Sequence, residues 1–220
     1  MANPQGRKGH EGEVGVRDWF NQWFPYYDQG IGASIMTTGG SNDIGDIEGV
    51  PFTMVEVKNH KNPVLGSLVA NAEWKASNAQ RVLWVLVVKR RGFSNKRAGQ
   101  WYAVTTVKGL DSYGFKDGEG RSLKDIATEV GEHTMRSHPK HQALSAASAM
   151  EVVFNVTKCY NEVLGRSHDD MDGESIDFTI FPRRGTEPED WFVITSLNKF
   201  CTTLENSGIL PRKEERNIDG

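Results

Sequence analysis

Long apolar runs are scarce in this chain, and cysteine is scarcer. The longest run, Val82-Leu83-Trp84-Val85-Leu86-Val87-Val88, falls far short of the ~18 residues a membrane-spanning helix needs, so the sequence excludes such a segment. The stretch from Met1 to His10 is polar and lacks the apolar core of a secretory signal, so a cytoplasmic location is expected. Two cysteines, Cys159 and Cys201, are too few and too far apart for a disulfide framework or a cysteine-rich zinc site; both are read as reduced. There is no Walker A sequence and no dinucleotide fingerprint, so nucleotide hydrolysis is not expected. His133, His138 and His141 lie around a polar turn without a cysteine or a suitably spaced acid, and they read as a surface loop. His168-Asp169-Asp170-Met171-Asp172-Gly173 fails as a calcium loop: with Gly173 as its invariant glycine, His168 and Thr179 stand where carboxylates are required.

What is present fits an ordinary globular protein: 220 residues, 37% hydrophobic, enough for one decorated domain or two small ones. The net charge of -3 hides an asymmetry, because residues 1–108 carry 13 basic and 9 acidic side chains while residues 109–220 carry 13 and 20. A basic first half suits an anionic partner such as nucleic acid.

Val16, Phe20, Trp23 and Phe24 recur near helical spacing and predict a helix over residues 10–24, ended by Pro25 and weakened by Gly12 and Gly15. A Gly-rich loop around Gly39-Gly40-Ser41 precedes two predicted strands, around Asp46-Ile47-Glu48 and Phe52 to Lys58, in a hairpin turning near Pro51. Next come a helix over 65–81, a buried strand over 82–88, a basic loop over 89–99 and a strand over 101–107. Residues 109–135, dense in glycine and charge, read as loop or linker. Beyond them the pattern predicts a helix over 139–164, strands over 176–181 and 191–195, and a last helix from 197 to Gly208. Trp101-Tyr102-Ala103-Val104-Thr105-Thr106-Val107 resembles Trp191-Phe192-Val193-Ile194-Thr195-Ser196-Leu197; this reads as two similar strand endings and not as a repeat array.

The chemistry gathers between Asn42 and Lys58. Strand alternation puts Glu56 and Lys58 on one face, with Val55 and Val57 turned into the core. A hairpin centred on Pro51 sets Asp46 opposite Glu56, so two carboxylates and an amine converge. With the carbonyl of Val57 they form a hard-oxygen set suited to one or two Mg²⁺ ions, and the combination suits phosphodiester hydrolysis.

Lys8-Gly9, Glu13 on the first helix, the Gly39-Gly40-Ser41 loop, Asp46 and Glu56-Val57-Lys58 together resemble the PD-(D/E)XK nuclease superfamily. Within it the likeness is to the archaeal-type Holliday junction resolvases and their phage-encoded relatives. Val87-Val88-Lys89-Arg90-Arg91-Gly92 and Trp101-Tyr102-Ala103-Val104 also look like the strand, basic turn and strand of the phage relatives. The resemblance covers about residues 6–108, half of the chain. It implies an α/β restriction-endonuclease-like core with a mixed central sheet flanked by helices. Glu13, Asp46 and Glu56 would be metal-binding carboxylates and Lys58 the catalytic lysine, with Mg²⁺ as cofactor and Mn²⁺ able to substitute. Two positions depart from the pattern: Gly45-Asp46 stands for Pro-Asp, with Asp43 a competing aspartate, and Glu11 competes with Glu13. In a helix Glu11 and Glu13 point about 200° apart and cannot both face the site; the spacing from Lys8 favours Glu13.

Arg7, Lys8, His10, Lys61, Lys89, Arg90, Arg91, Lys96 and Arg97 are candidates for gripping backbone phosphates, and Asn59 and His60 lie just past the catalytic strand. The expectation is therefore a nuclease core over 1–108 that cuts branched DNA. Symmetric cleavage of a four-way junction needs two active sites and so a homodimer. Residues 109–220 form either a separate accessory α+β region or an insertion returning to the core at 191–208. The rival readings are a restriction-type or RecB-like nuclease, and a catalytically silent nucleic-acid-binding protein on the same fold.

Overall fold

The computed structural model describes residues 4–23, 32–36, 43–59, 65–81, 83–90, 92–112, 114, 121–128, 179–181 and 186–206. In chain order these give α1 (Pro4–Trp23), β1 (Ser34–Ile35), β2 (Ile47–Glu48), β3 (Thr53–Lys58), α2 (Leu65–Asn78), β4 (Leu83–Val88) and β5 (Tyr102–Thr106). They continue with α3 (Val107–Asp111), β6 (Thr179–Phe181), β7 (Phe192–Ser196) and α4 (Leu197–Asn206). Short 3₁₀ turns at Asn95–Gln100 and Pro188–Asp190 precede β5 and β7. The protein is α/β: the described residues form one mixed sheet of seven strands in the order β1-β2-β3-β4-β5-β7-β6, with helices on both faces. Among the described strands β3 and β4 run parallel and the other pairs are antiparallel.

β4 is buried at every position, which is why it reads as a continuous apolar run without alternation. Odd residues of the central strands, Val55, Val57, Val85 and Val87, join a core with Val16 and Phe20 of α1 and Leu197 and Phe200 of α4. Even residues, Met54, Trp84, Leu86 and Val88, pack with Val69, Ala72 and Ala76 of α2. The side-chain period of two thus separates an α1/α4 face from an α2 face. The register Ile47↔Val55 centres the β2–β3 hairpin on Pro51, as the sequence predicts. Gly45 is fixed by this hairpin: its φ is 119°, and a Cβ there would lie 2.9 Å from both Met54 Sδ and the Val55 carbonyl oxygen.

Several elements differ from expectation. α1 begins at Pro4, six residues before the predicted start, because proline suits the first helical turn and tertiary packing outweighs the low helix propensity of its glycines. Of Gly12 and Gly15, Gly15 is a close-approach point, whereas a Cβ on Gly12 would make ordinary contact at 3.4 Å. A Cβ on Gly15 would meet Asn95 Cβ at 2.8 Å and its carbonyl oxygen at 3.1 Å, so the missing side chain lets α1 touch the 3₁₀ turn. Part of the expected 109–135 loop is helical. α3 covers Val107–Asp111, and residues 123–128 form a second helical stretch with Leu123 and Ala127 buried. Its start is a capping box: Ser122 Oγ accepts from the Asp125 N–H, and Asp125 Oδ2 accepts from the Ser122 N–H. The Asp111 carboxylate also accepts from the N–H groups of Leu123 and Lys124. The predicted 139–164 helix lies outside the described residues; of the 176–181 strand, 179–181 are described as β6.

The echo between Trp101–Val107 and Trp191–Leu197 is more than two similar strand endings. β5 and β7 are direct neighbours, paired from Tyr102↔Ser196 to Thr106↔Phe192. The Leu197 N–H donates to the Trp101 carbonyl (3.0 Å) and the Val107 N–H to the Trp191 carbonyl (3.1 Å), a reciprocal exchange about a local two-fold axis. Each copy has the same parts: a 3₁₀ turn, a tryptophan, a strand and a helix. Thr106 Oγ1 caps one helix through the Gly109 N–H, and Ser196 Oγ caps the other through the Lys199 N–H, both at 3.2 Å. β7 and α4 therefore share the sheet and core of the first half. Among the described residues no helix is long and apolar enough to cross a membrane.

Two glycines of α1 should respond oppositely to alanine. Gly9→Ala, with nothing within 4 Å of the new Cβ, should stabilise by roughly 0.5–1 kcal/mol. Gly15→Ala should destabilise by roughly 1–3 kcal/mol, since overpacking against Asn95 exceeds the propensity gain. Urea unfolding of both variants checks this, and stabilisation by Gly15→Ala would refute the close-approach account.

Candidate active site

β2 is only two residues long, and its truncation builds the site. Asp46 lies at its entrance, where its N–H donates to the Val55 carbonyl (2.8 Å) and its carbonyl accepts from the Met36 N–H (3.0 Å). The next β3 donor, Val57 N–H, instead donates to the Asp46 carboxylate, Oδ2, at 2.7 Å. A backbone group left over by a short strand thus fixes the carboxylate's direction.

Glu56 projects from β3 onto the α2 face and is fully buried. Its Oε1 contacts the ammonium of Lys58, and its Oε2 accepts from Lys75 Nζ at 2.7 Å. Lys58 Nζ also lies 3.6 Å from Asp46 Oδ2. Lys75, from the last turn of α2 and 5% exposed, is 2.8 Å from Asp43 Oδ2 and 3.9 Å from Asp46 Oδ1. Asp46 and Glu56 therefore each turn one oxygen toward Lys58 and the other toward Lys75. Asp43 is oriented locally, its Oδ1 accepting from the Gly45 N–H (3.2 Å) and its carbonyl from Asn78 Nδ2 (3.3 Å).

The electrostatics follow from burial. Removal from water and the nearby Asp46 charge push the Glu56 carboxyl above its ordinary value, against the opposing pull of Lys58 and Lys75. Burial alone would lower the Lys75 ammonium, but hydrogen bonds to Asp43 and Glu56 outweigh it and hold the group above its usual range.

The structure brings Asp46, Glu56 and Lys58 together and adds Asp43 and Lys75. Asp43 and Asp46 both face Lys75. Lys75 escaped the sequence reading although a signal existed: it interrupts the apolar stripe of α2 formed by Leu68, Ala72 and Ala79. Glu13 is not brought into the cluster. It sits on α1, which packs on the opposite sheet face, and its Oε2 lies 3.4 Å from His10 Nδ1. Among the described residues no three acidic, histidine or cysteine side chains close into a ready-made metal group.

The phosphate-binding candidates divide similarly. Lys89 donates to Asn95 Oδ1 (2.7 Å) and sits over Trp101, while Arg90 stacks on Phe93 and Tyr102. Asn95 in turn donates to the Glu11 carbonyl of α1 (2.9 Å). These two cations therefore help to hold the basic segment in place. Lys96 and Arg97 are exposed, Arg97 lying over Phe93. Arg7 is exposed and paired with Glu11 at 3.6 Å, and Lys8 is exposed with its carbonyl accepting from Asn59. Lys61, Arg91 and His60 lie outside the described residues.

The raised Glu56 carboxyl makes a signed prediction. Between the ordinary value of 4.5 and the raised one, the folded state binds more protons than the unfolded state, so stability falls as pH rises through this window. Glu56→Gln removes the titration. In EDTA the midpoint of thermal unfolding of the wild type should therefore decline relative to Glu56→Gln from about pH 4.5 upward, then run parallel. Parallel curves throughout would refute the assignment.

Comparison of the chain with protein-family models, with curated proteins and with solved structures finds no match.

Proposed function

We propose that this chain is a divalent-metal-dependent DNA endonuclease with a restriction-endonuclease-like core, and that branched duplex of the Holliday-junction type is its substrate. The observation that carries the reading is the convergence of Asp46, Glu56 and Lys58 on one sheet face, at the end of a strand pair framed by α1 and α2. Folding alone does not call for this arrangement, because buried ionisable groups are costly unless paired.

The donor chemistry suits a hard divalent cation: the carboxylates of Asp43, Asp46 and Glu56 all face the Lys75 ammonium, with oxygens at 2.7–3.9 Å. Asp46, Glu56 and the Val57 carbonyl would hold Mg²⁺ or Mn²⁺, which when bound supplies electrophilic charge at the scissile phosphate. Lys58 is placed to orient the attacking water and to offset the negative charge that develops on the phosphoryl oxygens. Asp46, anchored by the Val57 N–H, keeps its orientation without help from the substrate. Lys96 and Arg97 offer phosphate contacts from a turn tied through Asn95 to α1 and to Lys89 just past β4, a mode of binding that reads backbone and not sequence. Paired cleavage of a junction would be the work of two copies of the chain.

Cleavage of a labelled four-way junction, a linear duplex and a single strand, each in Mg²⁺ or EDTA, tests the reading. Paired symmetric nicks on the junction should disappear in EDTA and fall at least ~10²-fold in Glu56→Gln and Asp46→Asn. Metal-dependent cutting of every substrate would remove the junction preference, and binding without cutting would favour the catalytically silent alternative. Replacing Lys96 and Arg97 together by alanine should weaken DNA binding and lower the slope of log K against log salt by about 2, one per phosphate contact. Lys89→Ala should mainly lower thermal stability. An unchanged salt slope in the double variant would place the phosphate contacts elsewhere.

A further inference from the structure

Asp46 and Glu56 are each shared between two ammonium groups, and the two are not equivalent. Lys58 stands on the same strand as Glu56, two residues away, and is held on the side of Asp46 Oδ2, the oxygen that also accepts from the Val57 N–H. Lys75 comes from a helix, is 95% buried, and takes the remaining oxygens: Glu56 Oε2 at 2.7 Å, Asp43 Oδ2 at 2.8 Å and Asp46 Oδ1 at 3.9 Å. Three carboxylates thus face one ammonium group, two of them within 2.8 Å and the third at 3.9 Å.

Resting on the nuclease reading above, we propose that Lys75 is a built-in counter-cation of the metal site: it occupies the space between the three carboxylates, and a divalent cation enters by displacing it and drawing them in. The charges favour the exchange. With both lysines in place the cluster carries one net negative charge, whereas a divalent cation in the place of Lys75, with Lys58 retained, leaves it neutral. Geometry favours it as well. A lysine has a four-carbon stem with freely rotating bonds, so its ammonium can leave while its backbone stays in α2. The side chain of its partner Asp43 is 27% exposed, so water reaches the cluster at that end. Lys75 is a positioning residue on this account, acting on the reaction only through the carboxylates. Its presence weakens metal binding and spares the protein the cost of unpaired buried carboxylates.

The test uses the full-length chain and Ca²⁺, and needs no cleavage. Lysines of the wild type are reductively methylated in EDTA and in saturating Ca²⁺ and quantified by peptide mass spectrometry, with Lys124, a surface lysine, as internal control. Lys75 should label slowly in EDTA and about tenfold faster in Ca²⁺, with Lys124 unchanged. By calorimetry, Lys75→Met and Lys75→Gln, with far-UV circular dichroism confirming that they are folded, should bind Ca²⁺ about tenfold more tightly than wild type. Asp46→Asn should abolish binding. Ca²⁺ binding by the wild type with unchanged Lys75 labelling, or with equal or weaker affinity in the folded Lys75 variants, overturns the displacement while leaving the metal reading intact. Absence of Ca²⁺ binding in wild type and Lys75 variants alike overturns both.

Discussion

A carboxylate with no exposed surface sits between the sheet and α2, and much of the site's local architecture follows from that. Removing one partner of a buried pair typically costs about 3–5 kcal/mol, because the other charge is left without water or counter-ion. Glu56 therefore demands cations from both directions, Lys58 along its own strand and Lys75 from the helix above. The need for Lys75 fixes which stripe of α2 faces the sheet. The need to keep Asp46 beside this pair fixes where β2 stops and requires Gly45, whose backbone passes too close to Met54 and Val55 for a side chain. An ion cluster of this kind contributes less to net stability than to specifying one arrangement.

The hairpin was legible because its information is local. Pro51 marks the turn, alternation through Val55 and Val57 marks the buried face, and these two facts fix the register that sets Asp46 beside Glu56. The β4 run and both flanking helices were legible for the same reason, their patterns being periodic over a few turns or residues. Lys75 was not, because its partners lie 19 or more residues away and only the packing of α2 on β3 joins them. The role of Gly15 in α1 was not legible for the same reason: helix propensity is a local cost, and the benefit, contact with Asn95, lies 80 residues along the chain. The basic segment was visible as charge but not as structure. Nothing local distinguishes Lys89 and Arg90, which stack and hydrogen-bond within the fold, from Lys96, which faces solvent.

The pairing of β5 with β7 shows how weak identity can carry strong geometry. Only a tryptophan and a threonine are identical across the two seven-residue segments, yet the two strands exchange hydrogen bonds symmetrically and hand off to helices capped in the same way. What the segments share is a sequence of physical roles: an aromatic anchor, β-branched residues between two cores, and a hydroxyl at a helix start. The described end of the chain thereby extends the sheet beyond β5, covers part of the α1 face with α4, and leaves the carboxylates at the β2–β3 end.

The two lysines of the site differ most in how their backbones are held. Lys58 ends β3, whose hydrogen-bonded neighbour β4 runs beside it to Val88, and the Lys58 carbonyl accepts from the Lys89 N–H at 2.9 Å. That strand also leads into the basic segment, so moving Lys58 would disturb sheet and turn together. Lys75 lies in the last turn of a helix that ends three residues later, with exposed neighbours on either side of its stripe. On the proposed reading, the charge that stays fixed is mounted on the first kind of support, and the one that yields to an incoming ion on the second. The fold supplies both kinds, one on each side of the same pair of carboxylates.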